Sequence, residues 1–342
     1  MDSIKILTII STVISFILTP FIKNFAIRIN AVDIPKDKRK IHKKPIPLLG
    51  GMAIYISFVI TMLLKEGSLA KSEIGILIGA TIIVIGGLID DLKDIRPWQK
   101  LLFQVLAAVV LILFGVEIAV VTNPFPSNSL FLKLGWLSIP ITIFWVVGIT
   151  NAINLIDGVD GLAAGVAFIC SATIFIIAVL NGRREAALLT AIVSGAIFGF
   201  LPYNFNPASI FMGDTGAQLL GFLLSAISLK GTIKSATAFA IAVPILAFGL
   251  PIYDTLFAMI RRKINGKPIM QADRGHLHHR LLDMGLSQKQ VVIIMYLTSA
   301  VLGGISIIAM QMSTTRSYFL LTIVILIIVF TAWKCGFFKH RE

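Results

Sequence analysis

The sequence predicts an all-α protein, a polytopic bundle of membrane-spanning helices. Of its 342 residues, 57% are hydrophobic and only 14% are charged, and the mean hydropathy is +0.92. A soluble domain would carry about a quarter charged residues. Apolar runs longer than about 18 residues recur along the chain, and in lipid such runs form helices, because the backbone must satisfy its own hydrogen bonds. A transmembrane barrel would instead alternate apolar and polar residues.

We expect about eleven spans in a single membrane domain, residues 1–342, without a long linker or a clear internal repeat. The first apolar segment is interpreted as a span and not as a cleaved signal peptide, because no small-residue cleavage site follows it. The predicted spans cover residues 3–22, 48–64, 74–89, 101–121, 137–153, 162–180, 186–201, 214–229, 236–260, 290–310 and 317–333.

The distribution of charge predicts the orientation. The net charge is +13, and 21 of the 30 lysine and arginine residues lie in segments that face the cytoplasm if the N-terminus is outside. This bias follows the positive-inside rule and also places the C-terminus in the cytoplasm. The polar motifs share that side, which favours an enzyme fed from the cytoplasm over a transporter with polar groups at mid-depth. The predicted catalytic loops are 23–47, 90–100, 151–161, 202–214 and 261–289.

The first polar motif ends the third span. Asp90, Asp91 and Asp94 are neighbours at helical spacings of three and four residues, where like charges repel unless a cation joins them. Carboxylates at a helix C-terminus also oppose the helix dipole. The alternative is a solvated acidic helix end. We interpret the three acids as a site for a cation or a basic ligand, and Lys100, a turn or two later, as a candidate for phosphate binding.

The second motif carries amide and carboxylate oxygens, which suit Mg²⁺. Asn151, Asn154, Asp157 and Asp160 recur at every third position, so consecutive members are adjacent on a tight helical turn. The alternative is a polar turn in which Asp160 caps the next helix, but a cap explains one residue and not four.

The third motif contains Asn204, Phe211 and Asp214. Asp214 opens a span, where a capping role is compatible with metal binding. Phe211 is a candidate for stacking on a base, and an aromatic anchor at the membrane interface is the alternative.

The fourth motif, residues 273–280, holds three of the chain's five histidines. His276, His278 and His279 together with Arg280 suit phosphate oxygens, for which arginine is a bidentate donor. Zinc is the rival ligand, but no cysteine or well-spaced fourth ligand supports it.

Single residues outside these motifs carry weaker signals. Lys44 lies in a basic first loop that contacts either substrate or anionic lipid headgroups. Asp254 lies within the ninth predicted span, and an intramembrane acid is a functional candidate by default. Cys170 and Cys335 lack metal-ligand spacing and are interpreted as structural.

Together these motifs resemble those of the polyprenyl-phosphate N-acetylhexosamine-1-phosphate transferases, glycosyltransferase family 4, and most closely those of its WecA/TagO-type bacterial members. The likeness covers nearly the whole chain. It rests on five motifs in order: DKRKIHKKPIPLLGG, GGLIDDLKD, NAINLIDGVDGLAAG, FNPASIFMGDTG and ADRGHLHHRLL. The last reads HLHH, whereas relatives that use muramyl pentapeptide have three adjacent histidines, which points to N-acetylglucosamine as the sugar.

The resemblance implies transfer of GlcNAc-1-phosphate from UDP-GlcNAc to undecaprenyl phosphate, with release of UMP, as the first membrane step of cell-wall glycopolymer synthesis. It implies a multi-pass protein of the bacterial plasma (inner) membrane with its active site on the cytoplasmic face. Asp214 and Asn154 would hold Mg²⁺, or Mn²⁺. The implied catalytic residues are Asp90, Asp91, Asp94, Asp157 and His279. The implied substrate-binding residues are Lys44, Lys100, Asp160, Asn204, Phe211, His276, His278 and Arg280.

Other functions stay open at this point. A membrane prenyltransferase also binds diphosphate through aspartates, but it should show two Asp-rich motifs on different helices. A transporter would need acids at mid-depth in several spans. A different UDP-N-acetylhexosamine would need only local changes in the histidine motif. No nucleic-acid partner is expected, and a homodimer is left open.

Overall fold

The computed structural model describes residues 2–35, 44–122, 131–232, 242–268, 275–312 and 314–334. Over these residues the chain is almost entirely helical. The helices are α1 (Asp2–Arg28), α2 (Gly50–Leu63), α3 (Lys71–Lys93), α4 (Pro97–Leu113), α5 (Ser138–Leu155), α6 (Leu162–Leu180), α7 (Arg184–Asn204), α8 (Gly213–Thr232), α9 (Ala242–Ala247), α10 (Gly249–Ile264), α11 (Leu277–Asp283), α12 (Gln288–Gln311) and α13 (Thr314–Lys334). Two short antiparallel strand pairs accompany them: β1 (Val32–Asp33) with β2 (Ile46–Pro47), and β3 (Val120–Thr122) with β4 (Phe131–Lys133).

The prediction of a multi-pass helical membrane protein is confirmed. Within the described residues, seven helices are long and apolar enough to cross a membrane: α1, α3, α5, α6, α7, α12 and α13. Helices α2 and α4 are apolar but shorter. The number of eleven spans and the orientation of the N-terminus stay predictions.

The predicted span 101–121 is wrong at its C-terminal end. Helix α4 ends at Leu113, and Gly115 adopts a left-handed φ of 79°, which turns the chain out of the helix. The residues that follow form the hairpin of β3 and β4. Val120 and Val121 are as apolar as a span, so hydropathy alone does not separate this strand from the helix before it.

The predicted span 236–260 is not one helix over its described part, residues 242–260. Helix α9 ends at Ala247, and α10 begins at Gly249. The break has a steric cause in Pro251, whose ring has no N–H and would clash with the carbonyl of residue 247 in a continuous helix. In the first turn of a new helix the same proline is tolerated.

Helix α8 is the centre of the bundle and is buried along nearly its whole length. It packs against α2, α3, α5, α6 and α7. A helix that is apolar around its circumference is stable where other helices surround it. The first turn of α8 therefore lies among the ends of its neighbours.

Two glycines bring α2 and α3 against the first turns of α8. A Cβ added to Gly51 would overlap the Cα atom of Gly216, and a Cβ added to Gly87 would overlap the Cα atom of Thr215. Only glycine permits this approach of one backbone to another. The contact at Gly87 sets the acidic end of α3 beside the start of α8.

Candidate active site

Polar contacts join several helix ends at one end of the bundle. They link the C-terminal end of α3 to the starts of α4 and α8, α5 to α8, the segment after α7 to α12, and α10 to α11. The four polar motifs of the sequence thus meet in space, as their common side predicts. Asp273 and Arg274, at the start of the histidine motif, lie outside the described residues.

Asp91 caps helix α8 from the neighbouring helix α3. Its Oδ1 atom accepts a hydrogen bond from the backbone N–H of Asp214 at 2.7 Å. Its Oδ2 atom accepts one from the N–H of Thr215 at 3.1 Å and one from the Thr215 hydroxyl at 2.6 Å. The first N–H groups of a helix have no partner within it, and a carboxylate there also complements the helix dipole. Both oxygens of Asp91 are therefore engaged in holding the turn that carries Asp214.

Asp90 faces α4 instead. Its Oδ2 atom forms an ion pair with the Lys100 ammonium, and its Oδ1 atom accepts a hydrogen bond from the backbone N–H of Ile95 at 3.1 Å. Asp90 is 5% exposed. The ammonium of Lys100 also lies 3.5 Å from Oδ1 of Asp214. Lys100 is thus a cation shared by two of the acids.

Asp214 stands at the start of α8 with a side chain that is 33% exposed. The Asn154 side-chain amide, from the last turn of α5, donates a hydrogen bond to Oδ1 of Asp214 at 2.8 Å. The two residues predicted to hold a metal are therefore in direct contact. Whether they bind one stays a prediction.

Asp157 lies in the loop between α5 and α6. Among the described residues its carboxylate has no hydrogen bond or ion pair. The pKa of Asp157 is raised to about 8, first by burial and then by the charges of Asp214, Asp91 and Asp160, in that order of importance. A perturbed pKa in a cluster of like charges is typical of a functional site.

Asp160 holds the segment that follows α7. Its Oδ2 atom accepts hydrogen bonds from the side-chain amide of Asn206 at 3.0 Å and from the backbone N–H of Ala208 at 2.9 Å. Asn206 also donates to Oε1 of Gln288 at the start of α12, at 2.6 Å. Asp160 thus has a structural contact besides the substrate-binding role that the sequence predicts.

Asn204 and Phe211 bracket the same segment. The Asn204 amide donates to the backbone carbonyl of Ile210 at 3.1 Å, and the residue is 2% exposed. The backbone of Phe211 is held on both sides, since its N–H donates to Pro47 and its carbonyl accepts from Gly50. Phe211 as a whole is partly exposed.

The histidine motif forms the short helix α11, which packs on the loop of Asp157. The rings of His276 and His278 are nearly parallel, with centroids 5.9 Å apart, and the rings of His278 and His279 are 4.2 Å apart. A Cβ on Gly158 would overlap Nε2 of His278, so the ring lies directly on the loop backbone. Burial, then the charge of His279, lowers the pKa of His278 to about 3, so that this ring is neutral at physiological pH. Arg280 is buried, and its Nε atom donates to the carbonyl of Gly275 at 3.0 Å.

Two predicted site residues lie apart from these contacts. Asp94 is exposed at the end of α3, where it takes a left-handed φ of 50° and so leaves the helical face of Asp90 and Asp91. Lys44 is exposed in the bend before β2. In the described part of the chain neither side chain forms a hydrogen bond or ion pair with the acids. Their predicted roles stay predictions.

The structure adds an amide network that the sequence analysis missed. Asn151 donates to Oε1 of Gln104 at 2.6 Å, and Gln104 donates to Oε1 of Gln218 at 3.1 Å. This network joins α4, α5 and α8 one helical turn away from Lys100 and Asp214. A signal was present, since Gln104 and Gln218 each lie four residues after a site residue, Lys100 and Asp214, on the same helix face.

The site therefore combines four neighbouring carboxylates, from Asp90, Asp91, Asp157 and Asp214, with one lysine in direct contact. Within the described residues no three histidine, cysteine, aspartate or glutamate side chains form a metal-binding group by themselves. The excess of negative charge favours the binding of a further cation.

Comparison with known proteins defines the class first. Residues 73–232, which contain the acids and the amide network, match the glycosyl transferase family 4 profile. The protein is a membrane-embedded transferase of sugar phosphates.

Full-length relatives then give the family. The chain is 40% identical over its whole length to a probable undecaprenyl-phosphate N-acetylglucosaminyl 1-phosphate transferase of Bacillus subtilis, of which it covers 94%. It is 32% identical to a decaprenyl-phosphate N-acetylglucosaminephosphotransferase of Mycolicibacterium smegmatis, over 93% of the chain and 86% of the relative. It is also 32% identical to a phospho-N-acetylmuramoyl-pentapeptide-transferase of Halalkalibacterium halodurans, over 86% of the chain and 93% of the relative. The chain belongs to glycosyl transferase family 4.

Proposed function

We propose that the protein transfers GlcNAc-1-phosphate from UDP-GlcNAc to undecaprenyl phosphate, releasing UMP, at the cytoplasmic face of a bacterial plasma membrane. The observation that carries the proposal is the full-length identity of 40% to the relative from Bacillus subtilis, joined to the contact of Asp214, Asn154 and Lys100. The relative named as a phospho-N-acetylmuramoyl-pentapeptide-transferase is 32% identical, against 40% for the relative from Bacillus subtilis, which supports N-acetylglucosamine as the sugar.

The residues present fit a bound Mg²⁺, with Mn²⁺ as the substitute. Mg²⁺ is commonly held by one or two carboxylates together with substrate phosphates and retained waters, so it does not need a three-residue group. Asp214 offers a partly exposed carboxylate, and the Asn154 amide next to it offers an oxygen when it is turned about its last torsion. Asp157 adds a carboxylate that no described residue binds.

The reaction joins two anions. An oxygen of the lipid phosphate attacks the phosphorus that bears the sugar. As this phosphorus–oxygen bond forms, the bond between the same phosphorus and the UMP oxygen breaks, and UMP leaves with the electron pair. Bound Mg²⁺ would neutralise charge on the diphosphate and polarise the bond that breaks. Electrostatic stabilisation is then the largest contribution to catalysis.

Residues of the chain supply positive charge and hydrogen-bond donors to the phosphates and hold Asp214 in position. Lys100, between Asp90 and Asp214, supplies a positive charge to a phosphate at the acids. His279 and Arg280, on the helix that packs against the loop of Asp157, supply donors for further phosphate oxygens. Asp91 holds the first turn of α8, which sets the position of Asp214.

A general base has little to do, because a phosphate monoester has a second pKa near ~6 and is mostly a dianion at pH 7. Asp91 is a poor candidate for that role, since its two oxygens accept three hydrogen bonds from α8. Asp157, whose carboxylate has no hydrogen bond or ion pair among the described residues, would in its ionised form accept a proton that the lipid phosphate still carries.

The test supplies the purified protein with undecaprenyl phosphate, Mg²⁺ and one radiolabelled donor at a time: UDP-GlcNAc, UDP-GalNAc or UDP-MurNAc-pentapeptide. We expect labelled lipid from UDP-GlcNAc, with one UMP released for each lipid labelled. Labelled lipid from only one of the other donors would overturn the sugar assignment. No labelled lipid from any donor would overturn the reaction.

Two controls sharpen this test. Asp214→Asn should abolish transfer. Glu73→Gln should not, because Glu73 is a buried acid in the first turn of α3, paired with Lys65, at the end of that helix remote from Asp90. The face of the membrane is tested with membrane vesicles, since UDP-GlcNAc does not cross lipid. Inside-out vesicles should label their lipid, whereas labelling by intact right-side-out vesicles alone would contradict a cytoplasmic site.

A further inference from the structure

Asp254 is a buried acid that the proposed reaction does not use. It lies in α10 and is 4% exposed. Its Oδ2 atom is 2.8 Å from Nδ1 of His276, and its Oδ1 atom accepts a hydrogen bond from the backbone N–H of Leu277 at 2.8 Å. A buried carboxylate persists where its oxygens are bonded, and here both oxygens bind the start of α11.

The first contact favours one tautomer of His276. A carboxylate is only an acceptor, so the proton between the two groups belongs to Nδ1 of the imidazole. His276 is itself 5% exposed, and its ring is therefore locked in one orientation. With Nδ1 protonated, Nε2 is the atom that is left for a further partner.

The second contact fixes the start of α11. His276 is the N-cap residue of this helix, and its side chain makes no capping hydrogen bond of its own. The N–H of Leu277 would otherwise lack a partner, as the first donors of a helix do. Asp254 thus supplies the cap from another helix and sets the position of α11 along α10.

The position of α11 matters because its next residues reach the active site. The His276 ring is stacked on His278, and the His278 ring lies on the backbone of Gly158, next to Asp157. A displacement at His276 would therefore pass directly to the loop of Asp157 and to His279 and Arg280.

We propose that Asp254 is a positioning residue of the transfer reaction, which holds the Nδ1-protonated form of His276 and, through the stacked histidines, seats α11 against the Asp157 loop. The effect of Asp254 on turnover rests on the proposed function, whereas its effect on His276 does not. It is not a catalytic residue, because it acts through His276.

The first experiment needs no substrate. The full-length protein is labelled with ¹⁵N-histidine, and two-bond proton–nitrogen correlations report the tautomer of each of the five histidines. The signals that disappear in His276→Gln are assigned to His276. We expect a proton on Nδ1, with or without one on Nε2. A neutral ring that is protonated on Nε2 alone would overturn the proposal, whatever the enzyme does.

The second experiment is a double-mutant cycle. Asp254→Asn keeps an acceptor for Leu277 but presents an NH₂ group that can face Nδ1, which enforces the opposite tautomer. We expect kcat to fall about 10- to 100-fold, as when the carboxylate partner of a functional histidine is lost. In a His276→Gln background the same substitution should have little further effect, because residues that act as a unit are not additive. An Asp254→Asn effect of the same size in both backgrounds would refute action through His276.

Glu73→Gln is the matched control. Glu73 is also a fully buried acid that caps a helix start and binds a cation, through the N–H of Ala70 and the ammonium of Lys65. It lies at the opposite end of α3 from Asp90. Both variants should lower the melting temperature, but only Asp254→Asn should lower kcat. Equal kcat losses in the two variants would mean general destabilisation and would overturn the positioning role.

Discussion

The substitution Asp91→Asn separates a structural role of this acid from a chemical one. Asp91 and its neighbour Asp90 have the same side chain, but Asp91 binds the first turn of α8 and Asp90 binds Lys100. If Asp91 is a cap, its loss should destabilise the protein and also displace Asp214. If it were a base in contact with the lipid phosphate, its loss should remove activity and leave stability unchanged.

The size of the effect follows from the three hydrogen bonds. A hydrogen bond to a charged group contributes about 1.5–3 kcal/mol, and loss of a helix cap costs about 1 kcal/mol. An asparagine keeps one acceptor oxygen, so at least one N–H of the first turn loses its partner. We expect the free energy of unfolding to fall by about 2–3 kcal/mol and the melting temperature by about 5 °C. A displacement of Asp214 by about 1 Å is enough to lower turnover by about 100-fold.

The assay combines thermal melting of the purified protein with the lipid-labelling reaction. Thr215→Val serves as the graded comparison, because it removes only the hydroxyl that donates to Asp91 at 2.6 Å. It should cost about 1.5 kcal/mol, the lower end of the range for a hydrogen bond to a charged group. In the double variant the loss of unfolding free energy should be smaller than the sum of the two single losses, because both substitutions remove the same contact. A melting temperature of Asp91→Asn equal to that of the wild type, with turnover abolished, would refute the capping argument.

Three further predictions concern the metal, the loop acid and the helix contact. Asp214→Asn should abolish turnover, and Mg²⁺ should raise the melting temperature of the wild type but not that of this variant; near-normal turnover in Mg²⁺ would contradict a role of Asp214 as ligand. Because the pKa of Asp157 is about 8, above its unfolded value of about 3.9, its contribution to stability is present at low pH and is lost as the pH rises from about 4 to about 8. Asp157→Asn should flatten this slope in melting experiments without divalent cations, and parallel slopes would argue against the charge cluster. Gly87→Ala should cost about 1–3 kcal/mol, because its Cβ would overlap the α8 backbone, whereas Gly304→Ala, with open space at that point, should stabilise by about 0.5–1 kcal/mol; equal melting temperatures of the two alanine variants would refute the close contact.

The helices themselves were predictable because a long apolar run indicates a segment that lies in lipid, where the backbone forms a helix. Helix α6, expected at residues 162–180, is found at Leu162–Leu180. Hydropathy does not report what surrounds an apolar residue. Helix α8 is enclosed by protein and not by lipid, and the strand Val120–Thr122 continues the apolar run of α4 without being helical. Both distinctions depend on contacts between segments distant in sequence.

The chemistry of the site was also predictable, since carboxylates, amides and histidines stood out from an apolar chain. The partner of each acid was not. Successive residues of a helix point about 100° apart, so Asp90 and Asp91 face different neighbours, α4 and α8, which only packing reveals. Asp94 does not share a helix face with Asp90 and Asp91, because α3 ends at Lys93 and Asp94 itself has a left-handed backbone conformation.

The roles of Asp91 and Asp254 could not be predicted from the sequence, because each acid caps the start of a different helix. A cap within one helix has a fixed spacing, as between Ser287 and Gln290 at the start of α12. Asp91 caps a helix through Asp214, 123 residues later, and Asp254 caps one through Leu277, 23 residues later, so no local spacing marks either. Each brings a carboxylate to a helix start and thereby places a second residue, Asp214 or His276. An acid of this kind would be scored as catalytic by activity alone, and only its effect on stability and on its partner's state distinguishes positioning from chemistry.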